Sequence, residues 1–391
     1  MKVLSTVLRV HLFGAALGAS IAVAWGAALA LSPLVADSDL RLTIGTFCCL
    51  LALLAIRGCV RRLGVIDNGE SSRKRAVLRV IGWIALVVVG CYVLSRLMSP
   101  WEAVRVCRSD APARTKSAGQ PPKLRIAAYN IAHGRGTAAS NFDGGNRDTR
   151  RARLEAIGRL LSQSDLDVVV LNEVDFSSFW SGNVNQARVL ADAAGFPYWV
   201  EQRNLDLTLP FLRLRFGNAV LSRHPISRAK LVDYPGLVWW EAVLAGKKKG
   251  VVCTVDLPSG SAVRVLAVHL EHRSESVRVA GAEVIERLRR DAGPPLIAAG
   301  DFNSTRLGFP HCPTDARGRS ALSLLADGGG FDTLPDRKPR PAELTFPSIN
   351  PRSTIDWILV PRAWRLECCE ALPVALSDHR PVVATVEIIP P

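Results

Sequence analysis

The chain has 391 residues, of which 48% are hydrophobic and 21% are charged, and its formal net charge is +14. So much apolar material excludes an intrinsically disordered protein. Its placement also excludes a simple soluble protein, because long uncharged runs occur before residue 100 and none of that length occurs after it. The positive charge is compatible with phosphate-containing substrates, but it forms no dedicated nucleic-acid-binding stripe.

Residues 1–100 are predicted to be a membrane anchor with about three transmembrane helices. The first uncharged run, 12–36, is long enough to cross about 30 Å of hydrocarbon as a helix. It is also longer than the apolar part of a signal peptide, which favours a retained anchor over a cleaved one. The runs 42–56 and 80–95 are shorter, but the arginines at their ends can reach the lipid headgroups. A paired re-entrant or amphipathic arrangement of these two runs is the alternative.

The charges of the connecting loops predict the orientation of this anchor. The loop between the second and third runs is basic, with Arg57, Arg61, Arg62, Arg73, Lys74, Arg75 and Arg79. Loops rich in lysine and arginine stay in the cytoplasm. We therefore expect a multi-pass protein of the cell membrane whose remaining residues form an extracytoplasmic domain.

Residues 101–123 are predicted to be a linker, because they are rich in proline, alanine, serine and charge and have no apolar period. Residues 124–391 are predicted to form a folded domain. Short β-rich runs recur there, at 124–130, 167–173, 216–222, 262–270, 295–303, 354–360 and 382–388. Helical spacing of apolar residues occurs at 151–162, 276–290 and 320–326. This pattern predicts one α/β domain in which two packed mixed β-sheets are flanked by helices.

Polar residues with catalytic chemistry stand at the ends of these β-rich runs. They are Asn130, Glu173, His269, Asp301, Asn303, Asp356, Asp378 and His379. Strand ends that gather at one edge of a sheet are where a site is built. Oxygen ligands without cysteine favour a hard cation such as Mg²⁺ or Mn²⁺. The set suits attack of water on a phosphate ester, in which a carboxylate takes the proton and imidazoles stabilise the oxyanion.

Each of these residues also has a structural explanation when it is taken alone. Asn130 could cap a turn before His133, and Asp301 after a glycine could belong to an ordinary turn. Asp356 is harder to explain in this way, because an unpaired carboxylate inside an apolar strand is costly to bury. The order of the residues along the chain is what favours a site.

Taken in that order, the chain resembles the endonuclease/exonuclease/phosphatase superfamily over essentially all of 124–388. The similar stretches are YNIAHG at 129–134, LNEV at 171–174, GNAVLSRHPI at 217–226, VHLEH at 268–272, GDFNST at 300–305, TFPS at 345–348, TIDWILV at 354–360 and SDHRPV at 377–382. The resemblance is with the deoxyribonuclease and neutral sphingomyelinase branches, because His269 stands where the abasic-site nucleases have tyrosine. It implies a four-layer α/β sandwich and a Mg²⁺-dependent hydrolase of phosphate esters, with Mn²⁺ as the alternative cofactor.

The resemblance also implies which residues hold the metal. Asn130 and Glu173 would be ligands, with Glu173 the principal one, and Asp378 would support the metal side. Ala132 stands where the abasic-site nucleases have an aspartate, so a second metal position is in doubt. Asn218 is predicted as a further residue that binds the substrate.

The same resemblance implies roles in the reaction. Asp301 would orient or deprotonate the attacking water, and Asn303 would donate a hydrogen bond to the phosphate. Asp356 would orient His379 and favour its charged form, while His269 would contact a phosphate oxygen. Many relatives have an Arg-x-x-Gln after the histidine strand; in this chain only the arginine, Arg278, is present, which weakens its assignment to the site.

The predicted function is a membrane-anchored, divalent-metal-dependent phosphoesterase, in the first place a phosphodiesterase. A nuclease and a hydrolase of phospholipid or inositol-phosphate headgroups both stay open as its class, and no protein partner is predicted. The alternative is a catalytically inactive binding or scaffold protein with the same fold, which would have lost a residue such as Asp301 or His379. Both are present.

Two further segments are interpreted without the resemblance. The lysines at 247–249 are interpreted as a solvated turn, with contact to a phosphate-rich surface as the alternative. Residues 203–216 alternate basic and apolar side chains and are interpreted as an edge hairpin, with a substrate-rim loop or a membrane-facing hairpin as alternatives.

Overall fold

A computed structural model of the chain describes residues 102–109, 123–208, 212–236, 247–328 and 330–389. The three predicted transmembrane segments lie outside these residues. Within the described part of the chain, no helix has both the length and the apolar composition needed to cross a membrane. One compact unit consists of Trp101–Asp206 together with Leu214–Pro391, and it contains the candidate site.

The described residues form thirteen strands and four α-helices. The strands are Val104–Arg108 (β1), Lys123–Asn130 (β2), Val168–Asp175 (β3), Tyr198–Thr208 (β4), Arg213–Ser222 (β5), Ile226–Asp233 (β6), Lys249–Asp256 (β7), Ala262–His269 (β8), Leu296–Asp301 (β9), Phe331–Asp332 (β10), Asp356–Pro361 (β11), Arg365–Ala371 (β12) and Val382–Glu387 (β13). The helices are Arg147–Gln163 (α1), Gln186–Ala194 (α2), Glu275–Arg290 (α3) and Ala321–Ala326 (α4).

The strands make two mixed sheets. The first sheet has seven strands in the spatial order β1-β4-β5-β3-β2-β13-β12, and the second has six in the order β10-β11-β9-β8-β7-β6. Each sheet contains one parallel pair near its centre, β2 with β3 and β8 with β9. The carboxyl ends of a parallel pair lie at the same edge of a sheet, so each sheet brings the ends of two strands together.

Three apolar cores separate the layers of the domain. The core between the sheets contains Ile126 and Val265, one from each sheet. The helices α1 and α2 cover the outer face of the first sheet, where Leu154 and Leu190 are buried. The helices α3 and α4 cover the outer face of the second sheet, where Ile285 is buried. The α/β fold with two mixed sheets and flanking helices is therefore confirmed.

The structure differs from the predicted linker at 101–123. Five of these residues form β1, which pairs antiparallel with β4 from Val104 opposite Gln202 to Arg108 opposite Tyr198. The strand lies at the edge of the first sheet and Val106 is half exposed, so it has little apolar pattern of its own. A short edge strand of this kind forms because a partner strand pairs with it, and the local sequence pattern does not show that partner.

Residues 203–208 and 213–216 lie in the neighbouring strands β4 and β5. Two neighbouring strands agree with the hairpin interpretation, but the edge of the sheet on this side is β1 and not these strands. The side chains of Arg203 and Asp206 explain the charged pattern, because they are buried against each other with Nη1 and Oδ2 2.7 Å apart.

Candidate active site

The candidate site lies at the end of the core between the two sheets. Side chains alternate between the faces of a strand, and Ile126, Ala128 and then Asn130 of β2 face the same side. By the same alternation Val265 and Ala267 lead to His269 on β8, and Ile297 and Ala299 lead to Asp301 on β9. The last inward position of several strands is therefore polar, and the apolar core ends in a set of reactive groups.

The strand register then brings the carboxylates together. On the second sheet Asp301 is paired with His269 on one side and with Asp356 of β11 on the other. From the first sheet, Asn130 Nδ2 donates a hydrogen bond to Asp301 Oδ2 at 3.1 Å. The site is thus shared between the sheets, with Asp301 at its centre.

His379 joins this centre from the loop before β13. Its Nδ1 donates to Asp356 Oδ2 at 2.9 Å, and its Nε2 lies 3.9 Å from Asp301 Oδ2. Burial opposes the charge on the imidazole, but the carboxylates of Asp356 and Asp301 outweigh it and raise the pKa of His379 to about 10. Burial also raises the pKa of Asp301 to about 6, against the opposite effect of His379. At neutral pH the site thus holds a charged imidazole beside a carboxylate suited to accept a proton.

A β-bulge gives Glu173 its place in the site. The register of β3 against β5 shifts between Leu171 and Val174, and Glu173 has a positive φ of 52°. A bulge changes the direction in which a strand side chain points, and such backbone strain is often found at functional sites. Without it, the two-residue period would direct Glu173 to the helix-covered face together with Leu171.

Basic side chains surround the Glu173 carboxylate. Arg135 Nη1 lies 3.2 Å from Glu173 Oε2, His133 Nε2 lies 3.6 Å from the same oxygen, and Lys248 Nζ lies 3.9 Å from Oε1. Burial would raise the pKa of Glu173, but the positive charge of Lys248, with smaller contributions from Arg135 and other neighbouring groups, holds it well below its ordinary value. The other nitrogen of the guanidinium, Arg135 Nη2, lies 2.6 Å from Asp378 Oδ2.

The carboxylates of Glu173 and Asp378 therefore converge on a single positive charge, although they come from different parts of the chain. Two hard oxygen donors on one cation are a donor set that fits a divalent metal such as Mg²⁺. Asp301, Asp356 and His379 also bring possible ligand atoms within 4.8 Å of one another among the described residues. A charged imidazole has no lone pair to offer a metal, so the Glu173 and Asp378 side is the better metal site.

His133 and Asp175 form part of the site that sequence reasoning missed. His133 Nδ1 donates to Asp175 Oδ1 at 2.8 Å, and Asp175 Oδ2 accepts from Trp180 Nε1 at 2.9 Å. This pair directs His133 Nε2 towards Glu173, just as Asp356 directs His379 towards Asp301. His133 is part of the YNIAHG stretch, which is the available signal, although the sequence by itself predicts only a turn at this position.

His269 is buried, and its ring faces a lysine. Lys248 Nζ donates to His269 Nε2 at 2.6 Å, while Asp301 Oδ2 lies 3.7 Å from the same nitrogen. Burial and the positive charge of Lys248 lower the pKa of His269 well below its ordinary value. The ring is therefore neutral at pH 7. Lys248 was predicted to lie in a solvated turn, and the structure brings it into the site instead.

Asn218 lies behind the site in a chain of amides. Its Nδ2 donates to Gln202 Oε1 at 2.6 Å and to the Lys249 carbonyl at 2.8 Å, while its Oδ1 accepts from Asn172 Nδ2 at 2.8 Å. The side chain is fully buried. Its hydrogen-bonding groups are used inside the protein, which differs from the predicted contact with substrate.

Asn303 and Arg278 have different positions relative to the site. Asn303 stands two residues after Asp301, and its backbone nitrogen donates to Asp301 Oδ1 at 2.8 Å. Arg278 is buried in α3, where Nε donates to Glu275 Oε2 at 2.6 Å and Nη1 donates to the Glu271 carbonyl at 2.7 Å. Its bonds are those of a structural residue, which agrees with its weak assignment from the sequence.

Comparisons with known proteins point to one family. Residues 127–379 match the model of the endonuclease/exonuclease/phosphatase family. The structure of an endonuclease/exonuclease/phosphatase from Bacteroides vulgatus is similar to this one, with a TM-score of 0.51 and 19% identity, over 68% of this chain and 100% of that chain. This likeness supports the fold.

Two further solved structures are similar at a lower score. A protein of the same description from Beutenbergia cavernae has a TM-score of 0.48 and 21% identity, over 68% of this chain and 72% of that chain. A mannosyl-6-phosphatase from Bacteroides thetaiotaomicron has a TM-score of 0.48 and 16% identity, over 67% of this chain and 99% of that chain. A search of the curated proteins finds no match.

Proposed function

The chain belongs to the endonuclease/exonuclease/phosphatase family, whose members hydrolyse phosphate esters, and we propose that this protein is itself a divalent-metal-dependent phosphoesterase, in the first place a phosphodiesterase. The observation that carries the proposal is the joint position of Asp301, Asp356 and His379 beside the carboxylates of Glu173 and Asp378. Asp301 can take a proton, His379 carries a positive charge, and the carboxylates of Glu173 and Asp378 can hold a cation.

The metal would be held by Glu173 as the principal ligand and by the Asn130 amide, with support from Asp378. Mg²⁺ is the proposed ion and Mn²⁺ the alternative, because both accept oxygen donors. When bound, such an ion neutralises part of the charge on a phosphate ester and polarises its oxygens.

The protein's own residues would carry the proton transfer. Asp301 is held in place by Asn130 Nδ2 at 3.1 Å and by the Asn303 backbone nitrogen at 2.8 Å. A carboxyl with a pKa near 6 is ionised at pH 7 and still basic enough to take a proton from an attacking water. The positively charged His379, oriented by Asp356, would stabilise the charge that develops on the phosphate.

A catalytically inactive scaffold with this fold is the competing function. The loss of the water-activating aspartate or of the charged histidine would favour it, and this chain has both, 3.9 Å apart. A nuclease and a hydrolase of lipid or sugar-phosphate headgroups are both compatible with the site. We favour a headgroup substrate because the three apolar segments of residues 1–100 are proposed to anchor the domain outside the cytoplasm, next to lipid.

The test uses the full-length chain, purified in detergent, and its Asp301→Ala variant. Hydrolysis of a generic phosphodiester, a phosphomonoester, plasmid DNA and choline phospholipids would be measured in parallel with Mg²⁺. Activity on one class that is absent from the variant and from chelator-treated protein is the expected result. A folded protein that binds Mg²⁺ and hydrolyses none of the four would support the scaffold. Reporter fusions after Lys123 would test the proposed orientation, which reporters active only in the cytoplasm would contradict.

A further inference from the structure

The three consecutive lysines before and at the start of β7 have three different surroundings. Lys247 Nζ pairs with Asp233 Oδ2 at 2.7 Å, on the side of β6. Lys249 begins β7, where its backbone nitrogen donates to Asn204 Oδ1 at 3.0 Å and its carbonyl accepts from Asn218 Nδ2 at 2.8 Å. Lys248 lies between these two anchored residues, and its side chain enters the candidate active site.

The ammonium group of Lys248 keeps donors available. A lysine ammonium has three donors, and one of them is used by His269 Nε2 at 2.6 Å. The nearest carboxylate oxygen, Glu173 Oε1, lies 3.9 Å away, which is beyond a hydrogen bond. Among the described residues, no oxygen lies within hydrogen-bond distance of this ammonium. About a quarter of the side chain remains exposed, so a ligand in the site can reach it.

The ammonium of Lys248 is placed to bind a further anion. The nearest carboxylate, Glu173, lies 3.9 Å from the ammonium and is also the proposed principal metal ligand, so its charge is shared between Lys248 and the metal. Partly buried charges are stabilised when a group of opposite charge completes their hydrogen bonds. The substrate proposed above supplies such a group, because the non-bridging oxygens of a phosphate ester carry negative charge.

We propose that Lys248 is a phosphate-binding catalytic residue of this enzyme, and that His269 positions it by accepting a hydrogen bond from its ammonium group. The inference rests on the proposed function and deepens it. It differs from the role that the family resemblance implies for His269, which is direct contact with a phosphate oxygen. In this chain Lys248 contacts the phosphate oxygen, and the lone pair of His269 Nε2 accepts the hydrogen bond that positions the lysine.

The experiment compares Lys248→Met with Lys247→Met in the full-length chain. Methionine keeps the length of the lysine stem and removes the charge, and Lys247 serves as the matched control because it pairs with Asp233 away from the site. Inorganic phosphate is the probe, and its Kd is measured by calorimetry in the presence of Mg²⁺. We expect Lys248→Met to raise this Kd on the order of 10-fold, the effect of losing one hydrogen bond to a charged group. Lys247→Met should stay within about twofold.

A double-mutant cycle separates a positioning role of His269 from direct contact with phosphate. If His269 acts through Lys248, the Kd for phosphate in the double variant Lys248→Met/His269→Ala equals that of Lys248→Met alone. Effects of the two substitutions that multiply would show that His269 binds phosphate itself and would overturn its positioning role. Lys248→Arg, which keeps a charged donor, should restore part of the affinity.

Two results would overturn the assignment of Lys248. One is an equal phosphate Kd for Lys248→Met and Lys247→Met, in proteins whose melting temperatures match the unsubstituted chain. The other is a kcat/KM for Lys248→Met close to that of the unsubstituted enzyme, where a loss on the order of 100-fold is expected. Phosphate binding is measured without turnover, so a protein that hydrolyses no tested ester still answers the question about Lys248. Failure of the proposed function and failure of this inference are therefore distinguishable.

Discussion

His269 and His379 lie on opposite sides of Asp301 and carry opposite charge states. Both rings are at least 95% buried, and their Nε2 atoms lie 3.7 and 3.9 Å from the same oxygen of Asp301. Burial lowers the pKa of each ring. The difference comes from the next neighbour, which is the ammonium of Lys248 for His269 and the carboxylate of Asp356 for His379. Two histidines at matching depth thus become a hydrogen-bond acceptor and a cation.

One fold thus provides both a neutral imidazole and a charged imidazole at neutral pH. His269 is the last residue of β8, and its neighbour Lys248 precedes β7, the adjacent strand. His379 lies in the loop before β13 of the first sheet, and its partner Asp356 lies on β11 of the second sheet. Tertiary contacts therefore set the charge of each ring, and substitution of the contacting residues tests this conclusion.

The largest expected effect follows from removing the carboxylate that both rings face. Asp301→Asn should lower kcat/KM on the order of 1,000-fold, because an amide cannot accept the proton of the attacking water. In the unsubstituted enzyme, kcat/KM should fall as the pH falls through about 6, where Asp301 becomes protonated. A bound divalent ion would move this limb to lower pH, because a nearby cation favours the ionised carboxyl. An Asp301→Asn variant with more than a tenth of the original activity would contradict the role of the base.

A somewhat smaller effect is expected from making the surroundings of His379 resemble those of His269. Asp356→Asn keeps the size of the side chain but removes its charge, so the pKa of His379 should fall from about 10. We expect kcat to decrease on the order of 100-fold at pH 8 and to recover partly at lower pH, where the ring regains its proton. The pH profile of kcat between 5 and 9 would measure this.

Asp233→Asn is the control for Asp356→Asn, since that carboxylate is paired with Lys247 on the outside of the domain. It should leave the profile unchanged. A profile of Asp356→Asn that is lower at every pH by the same factor would show that His379 keeps its charge without Asp356.

The smallest effect is on stability. The folded-state pKa of His379, about 10, lies above its ordinary value of 6.5. The charged ring therefore stabilises the fold fully below pH 6.5, and this contribution decreases as the pH rises towards 10. Between pH 7 and 9 the melting temperature should decrease, and the decrease should be smaller in His379→Gln. Equal slopes in the two proteins, measured by calorimetry, would show that the charge of His379 does not stabilise the fold.

The sequence predicted those parts of the site whose signal is local. Asp356 interrupts an apolar strand, and Asp301 and His269 end two others, so a period of two residues was enough to mark them. The structure brings them together because β8, β9 and β11 are neighbours. Their order in the sheet is a matter of long-range pairing, and only the resemblance to the family supplied it.

The cations of the site could not be recognised in the same way. Lys248 stands in a run of three lysines that is typical of a solvated turn, and its contact with His269 depends on the pairing of β7 with β8. Arg135 lies in a glycine-rich turn and reaches Asp378, which is 243 residues further along the chain. The edge strand β1 was missed for a related reason, since its partner β4 is what makes it a strand.

The amide of Asn172 has a consequence for the whole candidate site. Its Oδ1 accepts from the Asp301 backbone nitrogen at 2.9 Å, and its Nδ2 donates to the Val268 carbonyl at 2.9 Å. The Asn172 side chain of the first sheet thus bonds to two adjacent strands of the second sheet, β8 and β9. The fit is close, because a Cβ on Gly300 would lie 2.8 Å from Asn172 Oδ1. The reacting groups are divided between the sheets, so they meet only while this alignment holds. An activity assay on this protein would therefore also report slippage between its sheets before either of them unfolds.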